Sequence, residues 1–483
     1  MSLESQPVAD SHYNSMESVA VLQHALPAAC RVSATTAIQT QPYGRTLTRR
    51  VPDEILDIII RNEYSVIPKI NTWELPQTHW AACSLVCRQW RSVALAYLFR
   101  RIWISWDGRG VKDYSQFFSE NKSIARLVKH VHINSREVDV GHLDSLLESL
   151  PGVISLHMIG THILHSQGST ATRIYRNYAL KYVQWMYEIK GTTKATFNSV
   201  LDLLSLFSTI ERLDLFSQNK VEAEVSSNLV AASIATALVG RPQVHALSLK
   251  CGTFATSFLP TFLSDVGGLR NLTQLDFTIY DPYVVMDSLN DMLCSAGATL
   301  QSLRIRISDN WVWLDKEHIP VTRDENLLAL LHRGFAACSS LEKFTLSTTI
   351  YGIAHGVSQE SWLLVVDFFL LIPALHLQHL CLKVDFVGDD PDFVHSAPWH
   401  RIRDACHRFL LLRSCKMKFT SSKYSSQLKS TQCVTYEMQD FKNILCFGNQ
   451  DSRVELRCDN EDCRKFTGFE YHSDSDDSDG DTC

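Results

Sequence analysis

The feature that most constrains this chain is a six-residue pattern, apolar-x-x-apolar-x-apolar, that returns ten times between residues 128 and 417. It reads Val128-Val131-Ile133, Val153-Leu156-Met158, Leu180-Val183-Trp185, Ile210-Leu213-Leu215 and Val244-Leu247-Leu249. It continues as Leu272-Leu275-Phe277, Leu300-Leu303-Ile305, Leu341-Phe344-Leu346, Leu377-Leu380-Leu382 and Leu412-Cys415-Met417. The last two apolar positions flank one intervening residue, the alternation of a half-buried strand. Successive central positions lie 25 to 41 residues apart, which is room for one strand and one returning helix. Helix candidates stand in those gaps: "HLDSLLESLPG", "FNSVLDLLSLFS", "SFLPTFLSDVGGL", "SLNDMLCSAGATL", "NLLALLHRGFAAC" and "WLLVVDFFLLIP".

A strand-and-helix unit cannot bury its apolar face alone, so such units stack on one another around a continuous core. The pattern resembles a leucine-rich-repeat array, an irregular one with long helices. The resemblance implies an α/β solenoid over residues 110–446, with an exposed sheet face competent to bind proteins. The Asn or Cys that regular repeats place after the strand is missing at most units, where Gln218, Gly252, Tyr280, Ser308 and Thr349 stand. A doubly wound α/β sheet uses the same elements. The uniform order of the units and the lack of a glycine-rich phosphate loop favour the solenoid.

A different texture precedes the repeats. "VPDEIL" opens a helix: Pro52 suits the first helical position, and Asp53 and Glu54 suit the positive end of the helix dipole. Val51, Ile55, Ile58 and Ile59 recur at steps of three and four, giving one apolar face. Thr78 is placed to cap a second helix carrying Trp80, Cys83, Leu85, Val86 and Cys87, and a third carries Trp90, Val93, Ala94, Tyr97 and Leu98. "VPDEIL" and "SLVCRQWRSVA" together resemble the F-box, whose opening reads Leu-Pro-x-Glu-Ile-Leu and whose later segment reads Ser-Leu-Val-Cys-x-x-Trp. The block at 46–103 is followed by repeats, as in the F-box and leucine-rich-repeat class, and irregular arrays of this kind resemble those abundant in mushroom-forming fungi. Val51 stands for the usual Leu, and the stretch Arg61–Gln77 makes the first inter-helix connection longer than usual.

That resemblance implies a non-catalytic role. The F-box docks a Skp-family adaptor, which links it to cullin and RING subunits of a ubiquitin ligase, while the repeats hold a protein substrate. Carried onto this chain, the adaptor-binding residues are Val51, Pro52, Ile55, Leu56, Leu85, Val86, Cys87 and Trp90. The rival function is a leucine-rich-repeat binding scaffold with no ligase role.

Composition narrows the remaining classes. Apolar residues are 45% and charged residues 20% of the chain, as in globular proteins. The net charge of −6 equals the six acids from Glu470 to Asp481, a stretch without Lys or Arg, so residues 1–469 sum to zero. A neutral body is not the profile of a nucleic-acid binder. The 14 cysteines are scattered, mostly inside apolar runs, and no signal peptide is expected at the start, so a reduced cytoplasmic or nuclear setting follows. The apolar run from Trp362 to Ile372 is too short for a membrane span and contains Asp367, so it reads as a buried helix. Residues 1–45 read as a disordered arm, 447–470 as a terminal cap and 471–483 as an acidic disordered tail with Ser473, Ser475 and Ser478 in acidic surroundings. No catalytic motif, no cofactor fingerprint and no metal-ligand spacing occurs.

Strand alternation also names an outward-facing set. Early units present His130, His132 and His157, then Asp214 and Asp276; later units present Arg304, Arg306, Lys343, Lys383, Lys416 and Lys418. These six cations read either as a solvated charged face or as the substrate-binding residues, suited in the second case to an acidic or phosphorylated protein segment.

Overall fold

The computed structural model divides into two compact units, Met1–Arg101 and Ile102–Cys483. It describes residues 75–105, 110–164, 176–187, 202–217, 242–250, 268–279, 282–307, 325–351, 357–373, 375–387, 397–421 and 454–458, together with Pro52, Glu54, Ile55, Ile58 and Leu263. The arm at 1–45, the tail at 471–483, Val51, Leu56 and the Val86 side chain lie outside the described residues.

In the first unit, Glu54, Ile55 and Ile58 have helical backbone, and the Ile55 N–H donates to the Pro52 carbonyl at 3.0 Å. Helix α1 (Leu75–Val86) and helix α2 (Arg88–Leu98) follow. Helix α1 begins three residues before Thr78, so Thr78 is not its cap. Pro76 falls in the first turn, where its missing N–H has no helical partner to lose. Cys87 is extended and breaks the two helices apart, at φ −160° and ψ 173°. Trp80 and Cys83 are buried, and the Trp80 ring stacks on Tyr97 at 4.6 Å. This small aromatic contact joins α1 to α2.

In the second unit, twelve strands among the described residues form one sheet in strictly sequential order. They are β1 (Arg101–Ser105), β2 (His130–Asn134), β4 (Ser155–Ile159), β6 (Tyr178–Tyr187), β7 (Phe207–Ser217), β8 (Gln243–Lys250) and β9 (Gln274–Ile279), then β10 (Ser302–Ile307), β11 (Lys343–Tyr351), β12 (His379–Val387), β13 (Ser414–Ser421) and β14 (Val454–Cys458). Two short strands, β3 (Glu137–Asp139) and β5 (His162–Leu164), make a separate parallel pair. A doubly wound sheet would reverse its strand order at a switch point. This sheet never does, and its pairing is parallel from β2 to β14. It is the α/β solenoid of leucine-rich repeats.

The repeat pattern sets the register directly. Val131 lies opposite Leu156, Leu156 opposite Val183, Val183 opposite Leu213, and Leu213 opposite Leu247. Leu247, Leu275, Leu303, Phe344, Leu380 and Cys415 continue the same row. Every anchor of the ten units is buried. A second ladder runs two residues ahead of the row. The N–H of Ile154 donates to the Lys129 carbonyl, Gln301 to Thr273, Glu342 to Gln301, Gln378 to Glu342 and Arg413 to Gln378, all at 2.7–2.9 Å. Each unit is thereby tied only to its neighbours, as stacking repeats require. In place of an Asn ladder, Thr299 Oγ1 donates toward the Leu272 and Ala296 carbonyls at 2.9 and 3.0 Å. Of the post-strand residues, Gln218, Gly252, Tyr280 and Ser308 lie outside the described residues, while Thr349 remains within β11.

Helices pack against one side: α3 (Val111–Glu120), α4 (Lys122–Ala125), α5 (Val140–Ser149), α6 (Pro282–Ala296), α7 (Glu325–Ala337), α8 (Val357–Leu371) and α9 (Trp399–His407). Consecutive helices touch, α6 on α7, α7 on α8 and α8 on α9. Helix α5 is capped by Asp139, whose carboxylate accepts from the Gly141 and His142 N–H groups. It is clamped to β6 by Arg176, whose Nε and Nη2 both donate to the buried Asp144 at 2.9 Å. The run from Trp362 to Ile372 falls mostly within helix α8, with Trp362, Val365, Val366, Phe368, Phe369 and Ile372 buried and Leu370 exposed, and among the described residues no helix is long and apolar enough to cross a membrane.

The sheet extends beyond the expected limits at both ends. It opens at Arg101 rather than 110, because Ile102 and Ile104 are buried while Trp103 between them is exposed. It closes at β14 rather than by 446, so the expected terminal cap at 447–470 contains a further strand.

Candidate functional site

One sheet face carries the anchors and helices; the other carries the alternate residues of every strand. Parallel registration sorts these into columns. The column just after the central anchor reads His132, His157, Gln184, Asp214, Ser248, Asp276, Arg304, Thr345, Cys381, Lys416 and Glu455. Two residues further along, Thr278, Arg306, Ser347, Lys383 and Lys418 lie side by side. The face therefore has two chemically different halves.

The first half is a self-satisfied aromatic row. Trp103 stacks on His132 at 5.4 Å, His132 on His157 at 4.3 Å, and His157 meets the edge of Tyr182 at 4.9 Å. The His157 Nδ1 lies 2.9 Å from Gln184 Oε1. The Tyr182 hydroxyl donates to Asp214 at 2.8 Å, and Arg212 donates to its other oxygen at 3.1 Å. Asp214 is buried by these partners. His130 was expected to face outward, but it is buried, with Nδ1 2.7 Å from the Ser155 hydroxyl across the β2–β4 pair. Ring stacking and neighbouring polar partners occupy much of these outward positions, while Trp103 stays exposed.

The second half is open and basic. A cleft of about 430 Å³ is lined by Arg304 and Arg306 from β10, Lys383 from β12 and Lys418 from β13. Its shape follows from β11. On this face "FTLSTTI" offers only Thr345, Ser347 and Thr349, so short hydroxyl side chains form a floor between long cationic ones. Two acids temper the charge. Asp385 lines the cleft, and Asp276 accepts from Arg306 at 2.7 Å and lies 3.8 Å from Arg304. The positive field shows in its neighbours. Burial pushes the Cys381 thiol up, while Lys383, Lys418 and Arg304 pull it the other way. Burial, and then Arg306, hold the Lys250 ammonium below its usual value.

Four of the six expected substrate-binding cations are thus brought into one cleft. Lys343 and Lys416 share the face but do not line that cleft; with Arg413 they border His379, which is held below the usual histidine value by burial and then by Lys343. Alternation picked out the cations one strand at a time. It did not give the hydroxyl floor, nor the buried Ser248 Oγ, Asp276 Oδ1 and Thr278 Oγ1, which have no hydrogen-bond partner among the described residues. Only the registration of β8, β9, β10 and β11 reveals these as neighbours.

In the helical unit, Pro52, Ile55 and Leu85 are all exposed, Leu85 at 81% and Ile55 at 45%. Ile58 is 51% exposed, although it was read only as part of the apolar face. Cys87 is exposed at the helix break, and Trp90 is half-buried.

No protein-family model and no curated protein matches the chain. Among solved structures it is similar to the leucine-rich-repeat-containing protein LegL7 from Legionella pneumophila, with 13% identity, a TM-score of 0.37, and coverage of 75% of this chain and 91% of that one. It is also similar to the Rad7 and Elc1 complex of yeast, with 10% identity, a TM-score of 0.31, and coverage of 89% and 100%. The repeat assignment rests on strand order and register rather than on these distant likenesses.

Proposed function

We propose that this chain is a non-catalytic substrate receptor: its helical unit docks a Skp-family adaptor, and its repeat sheet binds the protein to be ubiquitinated. The observation that carries the reading is that Pro52, Ile55, Ile58 and Leu85, in and beside the two segments that resemble the F-box, are exposed. Water-exposed apolar groups in so small a unit are what an adaptor would cover. Docking would link the chain, through the adaptor, to cullin and RING subunits, and the repeat sheet would hold the substrate.

Leu85 offers a clean test, because its side chain contributes little to the folded core. Leu85→Ala is expected to change stability by no more than about 0.5 kcal/mol. Burying a leucine against a partner is worth roughly 1.5–3 kcal/mol, so the same substitution is expected to weaken adaptor binding roughly tenfold or more. Calorimetric titration of purified Skp-type adaptor into the wild-type chain and the Leu85→Ala variant measures this. A well-folded wild-type chain that binds no adaptor overturns the ligase reading and leaves a binding scaffold.

A further inference from the structure

We infer that the cleft over β9–β13 is a receptor for a phosphorylated serine or threonine on an extended segment of a partner protein. The inference deepens the substrate-binding reading of the repeats and is independent of adaptor docking.

Three observations converge on this ligand. The first is charge in a confined place. Arg304, Arg306, Lys383 and Lys418 line a single cleft of about 430 Å³, against one lining carboxylate, Asp385. Cations crowded into a partly buried groove oppose one another, and an entering anion relieves that opposition.

The second is the kind of anion. A phosphate monoester carries about −1.5 to −2 charge and three strong acceptor oxygens, whereas a carboxylate carries one charge on two oxygens. The cleft offers donors of two types to several acceptors at once: guanidinium and ammonium groups at the sides, hydroxyls of Ser347 and Thr349 on the floor. Arginine forks match phosphate oxygens two at a time. Asp276 accepts from Arg306 Nη2 at 2.7 Å and so tethers one end of the guanidinium, as a positioning residue would.

The third is an unmet hydrogen bond at the cleft wall. Thr278 Oγ1 is buried and has no partner among the described residues, although Thr278 lines the cleft. A buried hydroxyl without a partner costs free energy that a ligand oxygen can recover. The segment carrying the phosphate has a path, since Arg306, Ser347, Lys383 and Lys418 stand in one row across β10–β13.

The test uses the full chain and an array of degenerate peptides with a central phosphoserine or phosphothreonine, beside matched arrays with unmodified Ser/Thr and with Asp. Retention of the phosphorylated array is expected to exceed the unmodified one at least tenfold and to be competed by millimolar inorganic phosphate. Arg306→Gln with Lys383→Gln is expected to abolish the preference. Lys383→Gln with Lys418→Gln spares the Asp276 contact and is expected to reduce it at least tenfold with an unchanged melting curve. Arg88→Gln with Arg91→Gln, on helix α2, removes the same charge elsewhere and is expected to leave retention intact. Equal retention of all three arrays, or a preference that survives both cleft variants, overturns the proposal. So does a preference lost equally in the α2 variant, since that would report net charge alone. Because no adaptor is present, failure here leaves the adaptor reading untouched.

Discussion

At the scale of single residues, the sheet face shows how neighbours decide what an outward position does. His132 and His379 occupy equivalent faces, yet one is stacked between rings and the other stands among cations. For His379, burial and the charges of Lys343, Arg413 and Lys416 lower its proton affinity, Glu342 opposes them, and its Nδ1 lies 2.9 Å from the Ser414 hydroxyl. With the folded value below the unfolded one, its contribution to stability is present above the unfolded value and lost as pH falls through the folded one. NMR titration of the His379 ring is expected to give a midpoint below the usual histidine value, and Lys343→Gln is expected to raise it. A midpoint unmoved by that substitution would mean that burial alone sets it. Alternation along the strands places Arg304, Arg306, Lys383 and Lys418 where one cleft gathers them, but it misplaces His130. The failure has a simple cause: Ser155 on the next strand offers a hydrogen-bond partner that alternation within one strand cannot show.

At the scale of elements, period-two alternation made the ten anchored strands legible, because each buries two flanking side chains against the helices and leaves the intervening one outside. The units at the ends escaped for opposite reasons. Phe99-Ile102-Ile104 fits the pattern but runs on from the apolar face of α2, which hides the start of a strand at Arg101. In β14 the pattern is broken, since Asp451 stands where the leading apolar residue belongs. The short α9 was also missed; its buried Trp399, Ile402, Ala405 and Cys406 are interleaved with His400, Arg401, Arg403 and Asp404. Close approach of helices marks another feature that composition hides. Beyond α6, a Cβ on Gly297 would stand 2.5 Å from the Leu293 carbonyl oxygen and 2.6 Å from the Ala337 backbone at the end of α7. Both obstacles are main chain and cannot rotate away. Gly297→Ala is expected to destabilise the fold by about 1–3 kcal/mol, the usual cost of overpacking, read from the urea midpoint. An unchanged midpoint would mean that α6 and α7 separate without cost.

At the scale of the whole molecule, the two activities proposed here belong to different units and draw on different physics. Adaptor docking rests on exposed apolar area in residues 52–98, which salt barely affects; phosphate capture rests on cations over β9–β13, which salt screens over about 8 Å at physiological strength. The core that holds the sheet is a continuous cluster running from Ile102 to Met417. Each of its strands bonds only to its neighbours, so the stability of the array is close to a sum of nearest-neighbour contributions. A fragment beginning at Arg100 keeps β1 and every later strand whole. It is therefore expected to unfold cooperatively, to retain phosphopeptides as the full chain does, and to lose adaptor capture altogether. Raising salt from 0.05 to 0.5 M (conditions chosen around the screening range) is expected to weaken its phosphopeptide retention several-fold while leaving adaptor binding by the full chain nearly constant. Circular dichroism melts of the fragment, with both binding measurements repeated at each salt concentration, decide the matter. If the fragment melts without cooperativity, the helical unit is part of the fold that builds the sheet. If salt weakens both interactions alike, the division of labour between an apolar docking unit and a charged receptor face is wrong.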